Sequence, residues 1–264
     1  MKNTNILILF ILFFSIGTLC SCSDDDNSNY ATFNGMSVTI QGDEILGYKL
    51  YTDFDAILVP TNINDLQELK KVQRAQISFD MLNGNTNIEN IKAGESYEII
   101  LNRNGINREI PTYRVNIDTL SQEYQMNGND SIAIKNKKIT SLNKELKQFY
   151  IKNGYLNIAP TFEFSPNEIV YFALYYDGMK DIDVINKKIT LSLYFNNNAE
   201  APYGKVTSLL SFRMSEDIYG QFIYEGIDED ETITVSLKAN TQNNQSEELQ
   251  YTMKLKDFAL PYSH

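Results

Sequence analysis

The sequence predicts an all-β protein, a small OB-like barrel followed by an Ig-like β-sandwich, with one or two short helices. Three observations carry that expectation. Apolar residues recur at every second position along most of the chain, helical spacing survives only in two brief stretches, and no segment is long enough to form a crossover helix between parallel strands. A chain of 264 residues is long enough for two cores.

The first body is expected over residues 33–121. Met36, Val38 and Ile40 alternate with polar neighbours, Tyr48 and Leu50 continue the pattern, and Ala56 to Val59 and Ile77 to Phe79 supply further strands. Pro60 followed by Leu66 and Leu69 at helical spacing predicts a short helix over Asn64 to Val72. Ser96 to Asn102 and Tyr113 to Ile117 read as two strands joined by a turn-rich segment from Asn104-Gly105 to Pro111. Several short strands with one helix in this length suggest the OB type of barrel.

Residues 122–140 are polar and rich in Asn, Gly, Asp and Lys, the composition of a linker. The second body follows over 141–264. Leu142, Leu146 and Phe149 or Tyr150 fit one face of a short helix, and strands are expected near Tyr155–Ala159, Ile169–Tyr176, Ile189–Phe195, Leu209–Met214, Thr232–Leu237 and Leu249–Leu255. Ile189, Leu191, Leu193 and Phe195 set against Thr190, Ser192 and Tyr194 describe a sheet with one buried face, and six or seven such strands favour a sandwich.

The start of the chain carries an address. Lys2 precedes an unbroken apolar run from Ile6 to Phe14, which reads as a secretory leader over residues 1–21 and is too short to span a bilayer. Leu19-Cys20-Ser21-Cys22 resembles the lipobox of bacterial lipoproteins, with Cys22 as the acylated residue. Cys20 fits less well, because Leu19 would then occupy the small-residue position. Two or three acyl chains, at about 0.8 kcal/mol per buried methylene, hold a protein on a membrane effectively for good. Ser23, Asp24, Asp25 and Asp26 resemble the acidic signal that takes Bacteroidota lipoproteins to the outer face of the outer membrane, within a polar tether over 22–32 that is too poor in apolar residues to fold.

Charge and cysteine usage narrow the chemistry. With the leader removed, 22 basic residues face 34 acidic ones, a net charge of −12. That surface repels phosphate backbones, so nucleic acid is not an expected partner. Acylation of Cys22 and loss of Cys20 would leave no thiol, and His264 at the chain end is the sole histidine. A Ser-His-Asp triad, a thiol nucleophile and a histidine metal cage therefore have no internal candidate. The chain is expected to be no enzyme, to need no cofactor, to be a monomer, and to work by binding a protein or glycan partner while its lipid sits in the membrane.

Several local motifs were weighed against ordinary structure. Ser141-Leu142-Asn143-Lys144 matches S-x-x-K, but its companion motifs are missing and the start of an exposed helix explains it. Asn83 to Asn87 has the alternating oxygens of a calcium loop without its charge. Glu225 to Glu231 is acidic enough to attract a hard cation, with Asp228 and Asp230 the weak metal candidates, though a solvated loop accounts for it equally. Tyr194, Tyr203, Tyr219 and Tyr224 form the candidate ligand face, because a flat aromatic ring with a polar tip suits a glycan. Thr119 in Asp118-Thr119-Leu120 and Ser131 in Asp130-Ser131-Ile132 are candidate acceptors of O-glycosylation.

Taken in order, the lipobox with its acidic run, Arg74-Ala75-Gln76-Ile77-Ser78-Phe79, Gly154-Tyr155-Leu156-Asn157-Ile158, Leu191 to Asn198 and Ser208-Leu209-Leu210-Ser211-Phe212 are similar to the NigD-like lipoproteins of Bacteroidota. The chain departs from that pattern in having no Trp. The resemblance implies an N-terminal OB-like domain and a C-terminal β-sandwich. It also implies a role of the immunity type, since the family takes its name from a bacteriocin gene cluster. No catalytic residues come with it. The expected function is thus a cell-envelope lipoprotein acting as a binding module, the alternatives being a bacteriocin-immunity-type lipoprotein and a carbohydrate-binding accessory.

Overall fold

The computed structural model describes residues 32–43, 45, 47–62, 69, 72–82, 90–117, 136–146, 148–165, 169–197, 203–242 and 246–261. Strand is their main secondary structure, as the alternation predicts, and they divide into one unit ending at Glu109 and another beginning at Ile110.

The first unit is a closed barrel. Its strands are β1 (Thr32–Asp43), β2 (Gly47–Thr52), β3 (Ile57–Pro60), β4 (Arg74–Met81) and β5 (Ser96–Glu109), in the order β1-β2-β3-β5-β4 and back to β1. β1 makes closure possible because it is long enough to pair with β2 through Val38–Asp43 and with β4 through Thr32–Thr39. The register with β4 shifts between Phe33 and Met36, where Gly35 adopts a φ of 74°, a bend that a glycine backbone accepts without strain. Gly42 is needed for a second reason: a Cβ there would lie 2.0 Å from the Gly47 carbonyl oxygen across the hairpin. Inward residues Val38, Leu50, Leu58, Ile77, Phe79 and Ile99 are fully buried, and Phe33 stacks on Phe79 with ring centroids 5.2 Å apart.

A buried ion pair holds one corner of this barrel. Arg74 is 0 % exposed, donates from Nη1 and Nη2 to the two carboxylate oxygens of Asp53 at 2.7 and 2.9 Å, and donates from Nη1 to Thr39 Oγ1 at 2.8 Å. Asp53 sits in the β2–β3 turn, which Thr52 closes by donating to the Ala56 carbonyl and accepting from the Ala56 amide. One guanidinium therefore ties β1, β4 and that turn together, in the two-pronged geometry only Arg provides.

Two expectations about this unit change. Asn104-Gly105 lies within β5 and makes no turn, because wide register shifts between Gln76 and Phe79 of β4 absorb the extra residues of β5 as a bulge. Thr112–Ile117, expected to finish the first body, is β6 and pairs in parallel with strands of the second unit. Pro111 lacks the N–H that would extend β5, and Val115 joins the second core. The helix expected over Asn64 to Val72 lies mostly outside the described residues, of which Leu69 is buried in the barrel core.

The second unit adds β7 (Tyr150–Lys152), β8 (Tyr155–Ile158), β9 (Thr161–Phe164), β10 (Val170–Tyr176), β11 (Ile182–Asp183), β12 (Lys188–Asn197), β13 (Gly204–Thr207), β14 (Leu210–Arg213), helix α1 (Glu216–Tyr224), β15 (Thr232–Asn240) and β16 (Ser246–Lys254). One hydrogen-bonded path runs β16-β15-β12-β10-β6-β14-β8-β7, with β11 beside β12 and β9 paired separately to β13. β6 is parallel to both neighbours and β12 is parallel to β15. No crossover helix was needed, since the chain from β12 to β15 travels through β13, β14 and α1. Phe149 meets Tyr251 edge-on and Lys152 pairs with Asp257 at 3.5 Å, so the two ends of the path curl toward each other. The layers enclose a single core centred on Phe162, Phe172 and Phe195, whose ring centroids lie 5.0 to 5.4 Å apart.

The helix expected over Leu142 to Tyr150 reduces to a single 3-10 turn at Lys144–Leu146, because Leu142 is drawn into the core and Asn143 takes a φ of 53°, outside the helical region. Lys137 and Ile139, placed in the 122–140 linker by composition, are bonded through their amides to Phe195 and Asn240 and so belong to the second unit. Residues 118–135 lie outside the described residues.

Removing Asp53 leaves a buried guanidinium with its charge uncompensated. Asp53→Ala is expected to cost about 3 kcal/mol in urea unfolding, and the double change with Arg74→Leu to recover part of that loss. Equal losses for the single and double changes would show that the pair does not act as a unit.

Candidate functional site

The outward face of the second unit's sheet follows from its pleat. In β12, Ile189, Leu191, Leu193 and Phe195 point into the core, which turns Lys188, Thr190, Ser192 and Tyr194 outward. In β10 the inward residues are Phe172 and Leu174, which leaves Tyr171, Ala173 and Tyr175 on the same outward face. β15 adds Lys238, and β16 adds Glu248 and Gln250.

Register aligns these residues. Tyr175 lies opposite Ser192, Ser192 opposite Lys238, and Lys238 opposite Glu248, so one row crosses four strands. Ala173 lies opposite Tyr194, and the Tyr194 ring meets Tyr175 edge-on with centroids 5.0 Å apart. Tyr171, 39 % exposed, stands on the other side of Ala173, at the diagonal distance of about 7 to 8 Å at which large side chains still interact. The small residue between them, Ala173, is 1 % exposed.

The polar end of the row is held just as firmly. Glu248 Oε1 accepts from Gln250 Nε2 at 3.0 Å and faces Lys188 Nζ at 3.8 Å. The Gln250 bond first, and then the charges of Lys188 and Lys238, holds the Glu248 carboxyl below its usual range. With two lysines around one glutamate, this part of a strongly acidic protein carries no excess negative charge.

Of the tyrosines chosen from sequence, only Tyr194 belongs to this face. Tyr219 is half-buried against the core and donates its hydroxyl to Glu229, clasping the loop after α1. Tyr224, 88 % exposed, sits five residues further along α1, roughly 140° around the helix from Tyr219. Tyr203, 81 % exposed, precedes β13 and bonds through its amide to Phe164. Sequence reasoning missed Tyr171 and Tyr175, although their period-two spacing around Ala173 was readable once β10 was recognised.

The acidic loop has turned toward lysines. Asp230 pairs with Lys256 at 2.8 Å and with Lys254 at 3.2 Å, which lowers its carboxyl, and Glu231 is lowered chiefly by its bond with Lys187. Asp228 Oδ1 accepts from the Asp230 amide at 2.8 Å, an ordinary turn contact. Among the described residues no three acids, histidines or cysteines converge as a metal site would require. Ser141 Oγ accepts from the Asn143 amide at 2.9 Å, which makes the S-x-x-K serine part of a turn. Cys22, Ser23 to Asp26, Asn83 to Asn87, Thr119, Ser131 and His264 lie outside the described residues. No helix among the described residues is long and apolar enough to cross a membrane.

Two solved structures that share the fold come from Parabacteroides and Bacteroides. A toxin-related protein from Parabacteroides distasonis is 18 % identical, with 83 % of this chain and 93 % of that one covered and a TM-score of 0.54. A protein of unknown function from Bacteroides vulgatus is 16 % identical, covering 88 % and 94 %, also at 0.54. The fold is shared with both. A NigD-like immunity protein from Bacteroides caccae is also among the structural neighbours, at 13 % identity, 88 % and 99 % coverage and a TM-score of 0.48. No family model matches the chain, and neither does any curated protein.

The lowered carboxyls set a pH dependence. A carboxyl whose folded pKa lies below its unfolded value stabilises the fold above the ordinary carboxylate range, and that contribution is lost as pH falls through the folded value. Lys187→Met with Lys256→Met is therefore expected to lower the melting temperature at about pH 7, and the gap from wild type to close by about pH 2, where the acids are protonated in both states. A gap that stays constant in thermal melts across this range would rule out the lysine contacts as its source.

Proposed function

We propose that this chain is a lipid-anchored protein of the bacterial cell envelope that binds a partner without covalent chemistry, its open sheet face on β10, β12, β15 and β16 serving as the contact surface. The observation that carries the anchor is Leu19-Cys20-Ser21-Cys22 a few residues behind the apolar run Ile6 to Phe14 and directly ahead of Ser23-Asp24-Asp25-Asp26. Export to the cell surface and acylation of Cys22 belong to this reading. So does affiliation with the NigD-like lipoproteins, which draws on the ordered sequence motifs and on the fold shared with two Bacteroidales proteins.

The absence of chemistry is argued from the side chains themselves. The sequence has one histidine, at its end, and its two cysteines lie at the leader junction. Asp230 and Glu231 face lysines, Ser141 braces a turn, and Glu248 is held by an amide. No general base stands beside a nucleophile in any of these groups, the pairing that catalysis through a covalent intermediate requires. The immunity-type alternative follows from the resemblance alone, whereas the glycan alternative has a surface to act through.

Wild-type protein expressed in its native envelope is expected to partition into the detergent phase of a Triton X-114 extraction, and Cys22→Ala to move into the aqueous phase or accumulate with its leader uncut. Protease added to intact cells should digest the wild type. Aqueous partitioning of the wild type, or a mass showing an unmodified N-terminus, would defeat the anchor, while full protease resistance on intact cells would move the protein to the inner side of the membrane.

A further inference from the structure

The binding surface has chemistry specific enough to name a ligand class. Tyr171, Tyr175 and Tyr194 surround Ala173 on a flat outward face, and the row that begins at Tyr175 continues through Ser192 to Lys238 and Glu248, with Gln250 bonded to Glu248. We infer that this face binds a neutral oligosaccharide, with sugar C–H surfaces resting on the tyrosines and hydroxyls reaching Lys238, Glu248 and Gln250. The inference rests on the binding reading above and specifies its ligand.

Three features favour that occupant over others. Aromatic rings with polar tips, partly exposed on a rigid sheet, offer stacking area at little loss of side-chain freedom, which a weakly hydrophobic ring such as a pyranose needs. The polar end of the row presents a donor, Lys238, opposite an acceptor, Glu248, with the Gln250 amide two residues along β16, a mixture matched to hydroxyls that both donate and accept. Charge selects against the rest: Lys188 and Lys238 balance Glu248 locally, while the net charge of −11 repels polyanions such as uronate or sulfated chains at longer range.

The chain's lack of Trp makes the test direct, because intrinsic fluorescence then reports tyrosine alone. Full-length lipidated protein in detergent micelles is titrated with cellohexaose, mannohexaose and maltohexaose, and with heparin as the anionic control, by fluorescence and by calorimetry. At least one neutral hexasaccharide is expected to bind, with affinity falling at least tenfold in Tyr194→Ala and Tyr171→Ala and severalfold in Lys238→Met. Tyr203→Ala and Tyr224→Ala, which lie elsewhere, should bind as wild type. Melting temperature checks each variant, and Tyr194→Phe, which keeps the ring, should restore most of the binding if Tyr194→Ala loosens the sheet. Absence of binding by all three neutral sugars, binding of heparin alone, or sugar binding untouched by Tyr171→Ala and Tyr194→Ala would overturn the inference. Failure here with wild-type protein still in the detergent phase sinks the saccharide and leaves the anchored binding module standing, whereas aqueous partitioning sinks the anchor whatever the sugars do.

Discussion

The pleat's strict alternation is the constraint on which the rest depends. A strand cannot place two successive side chains on one face, so burying Ile189, Leu191, Leu193 and Phe195 fixes the direction of every residue between them. A slip of one residue in β12 would bring Thr190, Ser192 and Tyr194 inward and expose four large apolar groups. At about 1.5 to 3 kcal/mol for each buried aliphatic or aromatic side chain, that exchange is comparable to the whole net stability of an ordinary domain. The outward row from Tyr175 to Glu248 is thus a by-product of core burial, held in line by energy spent on the other side of the sheet.

The barrel solves a different problem. Closing five strands leaves no free edge, but it forces short turns to meet at the rim with polar groups that need partners. Arg74 answers this by satisfying Asp53 and Thr39 from a single planar group. Whether a buried pair of this kind adds net stability over a well-packed apolar substitute is decided by geometry, and here both carboxylate oxygens are engaged at short distance. Its clearer effect is on register, because a slipped β4 would leave the guanidinium without its acceptors.

Much of the fold was legible because its strands are half-buried and alternate. β1, β8, β10, β12, β15 and β16 appear where their period-two patterns put them. The remainder failed for identifiable reasons. Asn104-Gly105 has turn chemistry, yet a bulge used it inside β5. α1 was hidden by Ile218, Tyr219, Gly220 and Ile223, which are indifferent or poor helix formers, and is held instead by Ser215, whose side chain caps the Asp217 amide, and by burial of Ile218 and Phe222. β9 and β13 are four residues each and pair only with one another, too short for periodicity to register. On the outward face of the second unit's sheet, Tyr194 was found by residue type, Tyr171 and Tyr175 follow from the period-two spacing of β10, and only their alignment with Tyr194 needed the cross-strand register.

The placement of β6 has a consequence for how the polypeptide comes to maturity. Thr112 to Ile117 lies mid-sheet, with Ser211 opposite Thr112 on one flank and Leu174 opposite Val115 on the other. During synthesis this segment emerges well before either neighbour and must wait, both ladders open, while dozens of residues follow. Closing such distant contacts is slow. A chaperone that shields a lone extended segment would thus matter more here than for the barrel, whose strands follow one another closely, and cutting the gene in its polar middle stretch would divide one sheet instead of separating two independent folds.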